Sequence, residues 1–181
     1  MGFGYTSMKK IIKCDIQGDT FKKLSLAFRC ITFGGRYGGG KTLGAVALAY
    51  WMKASGYVDK IVSNIPMEYT DDDKQYVYRS VIILDEAWQY ITSRRSVLQY
   101  SAYLRKIDSY LILPSVFDIH YRLNFFQNER VVNFQNIGLP AWYYKWYLTK
   151  GRTRDKGTFW ITNPQVLYGL YDNLYVPFED E

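Results

Sequence analysis

Eight consecutive residues carry the most specific chemistry in this chain: Gly35-Arg36-Tyr37-Gly38-Gly39-Gly40-Lys41-Thr42. They match in full the phosphate-loop pattern of Gly, four residues, Gly, Lys and Ser or Thr. Glycines let successive backbone N–H groups curl around phosphate oxygens, where side chains would block the approach. A helix that opens at Lys41 points the positive end of its dipole at the same anions. Lys41 supplies a mobile cation for β- and γ-phosphates, and Thr42 supplies a hydroxyl ligand for Mg²⁺. The expected nucleotide cradle therefore runs from Gly35 to Leu43.

A second segment, Val81-Ile82-Ile83-Leu84-Asp85-Glu86, runs four apolar residues into two acids. A buried strand delivering carboxylates to its C-terminal end has this form, and ligand sites of open α/β sheets lie at that end. Asp85 is expected to hold Mg²⁺, directly or through water. Glu86, not spent on the metal, is expected to polarise the attacking water. Alone, an acidic pair is more readily a strand cap; beside the glycine loop it is the second half of a site. No [NT]KxD motif follows, which disfavours guanine-reading GTPases.

Such residues need elements to hold them, and the sequence predicts a set. Leu26 to Phe33 reads as a buried strand broken by glycines at 34, 35, 38, 39 and 40. From Lys41 to about Ser55, Leu43, Val46, Ala47, Tyr50 and Trp51 recur at helical spacing, and Gly56 stops the run. Ile61 to Ile65 predicts a strand ended by Pro66, Val81 to Leu84 a central strand, Ser96 to Lys106 a helix, and Tyr110 to Leu113 a strand ended by Pro114. Thr70 to Lys74 reads as loop, and Val131 to Phe134 as a further strand. Trp142 to Leu148 alternates like a strand, then a glycine-bounded basic run from Lys150 to Gly157 reads as a loop before Thr158 to Thr162 returns. Asn163-Pro164 suits an N-cap and first position of a short helix. The fold class predicted is α/β, with a mostly parallel central sheet and antiparallel C-terminal strands added to it. Within a single domain, 1–24 is an N-terminal extension, 25–125 the nucleotide-binding core, and 126–181 the C-terminal hairpin and tail.

With 181 residues, 48% hydrophobic and 22% charged, the chain has enough core for one domain and is not wholesale disordered. Its aromatic share is high at 18%. Cys14 and Cys30 form no CxxC pair and His120 stands alone, which disfavours a zinc site or a disulfide framework and suits reduced thiols in a cytosol. No apolar run reaches the ~18 residues of a membrane span. The start, MGFGYTSMKKIIK, lacks the apolar stretch of a secretory signal; Gly2 with Thr6 fits only a loose myristoylation pattern. Net charge is +6, unevenly placed. Residues 1–90 carry 12 Lys+Arg against 9 Asp+Glu, residues 91–156 carry 11 against 4, and residues 157–181 carry none against 4. The basic middle suggests a polyanion-facing surface. Lys150, Arg152, Arg154 and Lys156 on the predicted loop are candidates to track a DNA backbone without reading bases; a plain exposed hairpin or a subunit contact fits the same residues. For Trp142, Tyr144 and Trp146 a packed sheet face is favoured over stacking on bases.

On GRYGGGKT at 35–42 and LDEAWQYITSR at 84–94, with weaker support from YLRKIDSYLILPS at 103–115 and YGLYDNLY at 168–175, the chain resembles the FtsK/HerA superfamily of P-loop DNA-pumping ATPases. Within it, the chain is most similar to small viral packaging ATPases and Zot-like assembly proteins of filamentous phages. The resemblance implies a RecA-like core, ATP and Mg²⁺ as cofactors, a homo-oligomeric and commonly hexameric ring, and hydrolysis coupled to movement of single- or double-stranded DNA. Capsid or membrane-vertex proteins are implied partners, and the host cytoplasm or the virion the implied location. An arginine reaching a neighbour's site is also implied, with Arg94 and Arg95 ranked before Arg105 and Arg122. Relatives usually carry a γ-phosphate-sensing Gln at the end of the strand after the acidic motif; here Leu113-Pro114-Ser115 occupies that place, so Ser115 would have to serve, or another group does. The absent membrane segment favours a soluble genome-packaging motor. An assembly or secretion motor moving protein, and a weakly hydrolysing regulatory module, are the alternatives.

Overall fold

The computed structural model describes residues 12–14, 29–34, 38–65, 78–86, 102–115, 126–127, 131–133, 141–150, 153–162 and 165–171. Four short apolar segments form one parallel sheet: β2 (Cys30–Phe33), β3 (Lys60–Ser63), β4 (Ser80–Ile83) and β5 (Tyr110–Pro114), in the order β2-β5-β4-β3. Every residue of β5 is buried, as expected of a central parallel strand covered on both faces. Helix α1 (Lys41–Ala54) follows β2 and buries Leu43, Val46, Ala47, Tyr50 and Met52. These pack with Phe33, Ile61, Ile83 and Ile112 in one core. Each aliphatic side chain of Val size or larger, and Phe33, contributes roughly 1.5–3 kcal/mol by leaving water.

Strand ends depart from the sequence expectations for local reasons. β2 starts at Cys30, because Arg29 is left-handed at φ 50; residues 26–28 lie outside the described residues. β3 stops at Ser63 rather than Ile65, since Asn64 turns its side chain to β4's end. Pro114 does not end β5 but pairs with Phe33. Leu111 donates its N–H to the carbonyl of Arg29, just before β2, at 2.7 Å, and Ser115 donates to that of Phe33 at 3.0 Å, so the opposite parity faces β4. Leu84 still donates its N–H to the Ile112 carbonyl at 3.0 Å, and the β4 pairing ends there because Pro114 brings no N–H to extend it. The predicted helix at 96–106 is helical at 102–106, its first part and the predicted loop at 70–74 lying outside the described residues.

Arg79 and Asp108 are left-handed too, at φ 49 and 52, at the entries to β4 and β5. A non-glycine residue there costs about 1–2 kcal/mol. Ion pairs tie the three together: Arg29 to Asp108 at 2.6 Å, Arg79 to Asp108 at 3.6 Å, and Arg79 to Asp59 at 2.9 Å. The Arg29 guanidinium also lies 4.5 Å over the Tyr110 ring, a favourable cation–π geometry.

The antiparallel strands do not extend that sheet. They build a second one from β1 (Ile12–Cys14), β6 (Phe126–Gln127), β7 (Val131–Asn133), β8 (Ala141–Lys150) and β9 (Thr153–Thr162), in the order β1-β9-β8-β6 with β7 also on β8. Among the described residues the two sheets share no ladder. The expected 150–157 loop is corrected as well. β8 and β9 pair from Ala141↔Thr162 to Lys150↔Thr153, leaving only Gly151 and Arg152 as the connection. Polarity and two glycines read as a loop, yet Gly157 is a strand residue paired with Trp146, and a bulky aromatic opposite a glycine is a known sheet device. A short helix α2 (Gln165–Tyr168) follows, with Leu167 and Leu170 buried in the parallel-sheet core; the expected cap at 163–164 lies outside the described residues. No helix among the described residues is long and apolar enough to cross a membrane.

Candidate functional site

The sheet order sets the site's frame. β2 leads into the glycine loop, β4 carries the acids, and β5 lies between them, so the two motifs are two strand spacings, about 9–10 Å, apart at one sheet end. Gly38 and Gly40 adopt left-handed conformations, φ 67 and 74. A Cβ on Gly38 would meet nothing within 4 Å, so conformation rather than crowding calls for glycine there. Gly40 caps α1 without a side-chain hydrogen bond, and its carbonyl accepts the Gly44 N–H at 2.9 Å. The helix thus begins with its N–H groups directed past a glycine, the geometry that favours an anion.

Lys41 is 8% exposed. Burial pushes its ammonium below the ordinary lysine range, while the Glu86 and then the Asp85 carboxylate draw it back up. Both acids are therefore within its electrostatic reach. The Thr42 hydroxyl donates to Asp85 Oδ2 at 3.1 Å, and the Glu86 N–H donates to Asp85 Oδ1 at 3.1 Å. Burial pushes the Asp85 carboxyl up; these two hydrogen bonds oppose that shift, Glu86 adds to it, and Lys41 opposes it. Glu86 is itself left-handed at φ 50, strain that turns the chain directly after the metal-ligand candidate.

Two residues near the acids escape the motif reading. Asn64, at the end of β3, grips the Asp85 backbone from both sides: its Oδ1 accepts the Asp85 N–H at 2.8 Å, and its Nδ2 donates to the Asp85 carbonyl at 3.2 Å. The signal was a lone amide closing an apolar strand beside the acidic one. Tyr171, half-buried against the core, has its phenol pushed up to about 12 by desolvation, by Tyr168 and by Asp85. No spacing rule marks it.

The other expected site residues divide three ways. Ser115 is 1% exposed at the end of β5, where its N–H bonds the Phe33 carbonyl; it stands between the two motif strands. Leu43 is a core residue, 2% exposed, so only its backbone can serve a ligand. Gly39 lies in the bend before Gly40. Gly35, Arg36, Tyr37, Arg94, Arg95, Arg122 and Arg152 lie outside the described residues, and Arg105 is exposed at the opposite sheet end. Lys150, Arg154 and Lys156 are strand positions of the second sheet.

Among the described residues no three His, Cys, Asp or Glu side chains cluster as a metal cage. A magnesium nucleotide requires none: Mg²⁺ takes one or two protein oxygens and completes its shell with phosphates and water. The adjacent hydroxyl and carboxylate of Thr42 and Asp85 have the right donor chemistry. Comparison with family models, curated proteins and solved structures yields no match to the chain.

Proposed function

We propose that the chain is an ATP-hydrolysing P-loop motor that translocates DNA, of the genome-packaging kind, working as a ring of copies with a RecA-like core. One observation carries the nucleotide part: the Thr42–Asp85 hydrogen bond joins positions 43 residues apart and puts both acids within reach of a buried lysine at the end of a glycine loop. The DNA part rests on the motif resemblance and on the basic surplus of residues 91–156.

In this reading the loop backbone through Leu43 and the Lys41 ammonium hold the phosphates of ATP, and Thr42 and Asp85 share the magnesium ion, directly or through water. Bound Mg²⁺ supplies charge neutralisation across the β- and γ-phosphates. Desolvation of Lys41 strengthens its attraction for phosphate oxygens. Asn64 keeps Asp85 and Glu86 from drifting by fixing the backbone between them. Glu86 accepts the proton of the attacking water, and Ser115 stands where a γ-phosphate sensor would be needed.

The test is Glu86→Gln. Turnover is expected to fall by roughly 10²–10⁴, the usual worth of general-base help, with ATP binding retained. Lys41→Ala is expected to lose binding as well. Equal turnover in parent and Glu86→Gln would overturn the hydrolytic reading. ATPase rate insensitive to added DNA would turn the motor toward a protein substrate.

A further inference from the structure

At the sheet end away from Lys41, strands β5, β4 and β3 begin side by side, about 4.8 Å apart per step. Lys60 opens β3, Arg79 precedes β4, and Arg105 and Lys106 lie in the helical segment that leads into β5. Among the described residues, the carboxylates of this end are Asp59 and Asp108, engaged by Arg79 and Arg29. Lys60, Arg105 and Lys106 have no carboxylate partner among the described residues, and Arg105 and Lys106 are exposed.

Two tyrosines stand among these cations. Tyr78 is 60% and Tyr103 54% exposed, two of the three exposed large hydrophobics among the described residues. Backbone bonds hold them near each other: the Tyr103 carbonyl accepts the Ile107 N–H at 3.2 Å, and the Ile107 carbonyl accepts the N–H of Arg79, next to Tyr78, at 2.9 Å. Exposed aromatic rings among cations that no described carboxylate neutralises are what a single strand of nucleic acid needs, since its phosphates seek charge and its unstacked bases seek a π-surface. A duplex offers the phosphates but keeps its base faces stacked inside.

We infer that this end of the sheet binds single-stranded nucleic acid, with phosphates along Lys60, Arg105 and Lys106 and bases on Tyr78 and Tyr103. The inference goes beyond the proposed motor, because it sets a nucleic-acid contact opposite the nucleotide end and apart from the β8–β9 hairpin. It does not depend on hydrolysis.

Fluorescence anisotropy with a labelled oligothymidylate of about 16 nucleotides, the upper site size of a single small domain, tests it in the absence of ATP. Tyr78→Ala and Tyr103→Ala are each expected to weaken binding roughly 5- to 150-fold without changing its salt slope, and Tyr103→Phe to retain it. Lys60→Ala with Lys106→Ala is expected to lower the log–log salt slope by about 0.7 per charge. The matching duplex should bind more weakly than the single strand. Parent protein that ignores the oligonucleotide, or binding lost on Arg154→Ala and Lys156→Ala but kept in both tyrosine variants, would overturn the inference. Tyrosine variants that dissociate an oligomer in sedimentation while keeping full oligonucleotide affinity would do so too, marking a protein contact. Lys41→Ala keeps the two readings apart, since it should lose ATP and keep the oligonucleotide.

Discussion

Asp85 is an acid held where an acid is uncomfortable. Its folded carboxyl lies above the ordinary range, chiefly through burial, so stability is lost as pH rises from the unfolded carboxyl range through that raised value and stays lost above it. Asp85→Asn should therefore raise the thermal midpoint of the nucleotide-free protein at neutral pH while removing magnesium-dependent turnover. A lower midpoint by calorimetry would refute this. Tyr171 gives an alkaline counterpart. Its phenol titrates near 12 when folded and near 10 when unfolded. Its contribution is complete below pH ~10 and is lost as pH climbs through about 12. Tyr171→Phe should lack that alkaline component in denaturant melts taken across the window. Lys41, Thr42, Asp85 and Glu86 were legible because pattern and chemistry coincide within a few residues. Asn64 and Tyr171 were not, because what matters in them is which distant backbone or carboxylate the fold sets beside them.

At the scale of elements, the parallel sheet depends on strands of four or five residues, so each central side chain carries a large share. Ile112 is fully buried in β5. Ile112→Ala should cost about 2–5 kcal/mol, read as a shifted urea midpoint, through lost burial and the cavity left behind. The four strands and α1 were readable from apolar runs bounded by turn residues. Their ends were not, because each is decided by a partner strand: Pro114 stays in β5 since it pairs with Phe33 on the β2 side, and β3 stops where Asn64 serves Asp85. The β8–β9 hairpin shows the same limit. Lys, Arg and Gly spell a loop in one dimension, whereas ten consecutive registers keep them in the ladder.

At the scale of the whole molecule the described strands form two sheets, and that division is where sequence reading fell furthest short. Alternation of strands predicts antiparallel pairing but not whether the ladder joins an existing sheet. Nor could a three-residue stretch near residue 12 announce a partner almost 150 positions away. The parallel sheet carries different chemistry at its two ends: a buried lysine near two acids at one, and among the described residues exposed Arg105 and Lys106 with exposed tyrosines at the other. Ligands bound at those ends would meet the same strands from opposite directions.

β1 pairs with β9 only at Phe159, Trp160 and Ile161, the oily half of that strand. The other half, with Arg154, Asp155 and Lys156, has no β1 partner at those registers, and its charges deter a stray chain from zipping on. Among the described residues β1 is thus a selvedge over the apolar half of that border. Deleting residues 1–14 should leave a protein that clouds on standing and binds thioflavin, and restoring solubility by Trp160→Lys in the shortened chain would identify the uncovered border as the cause.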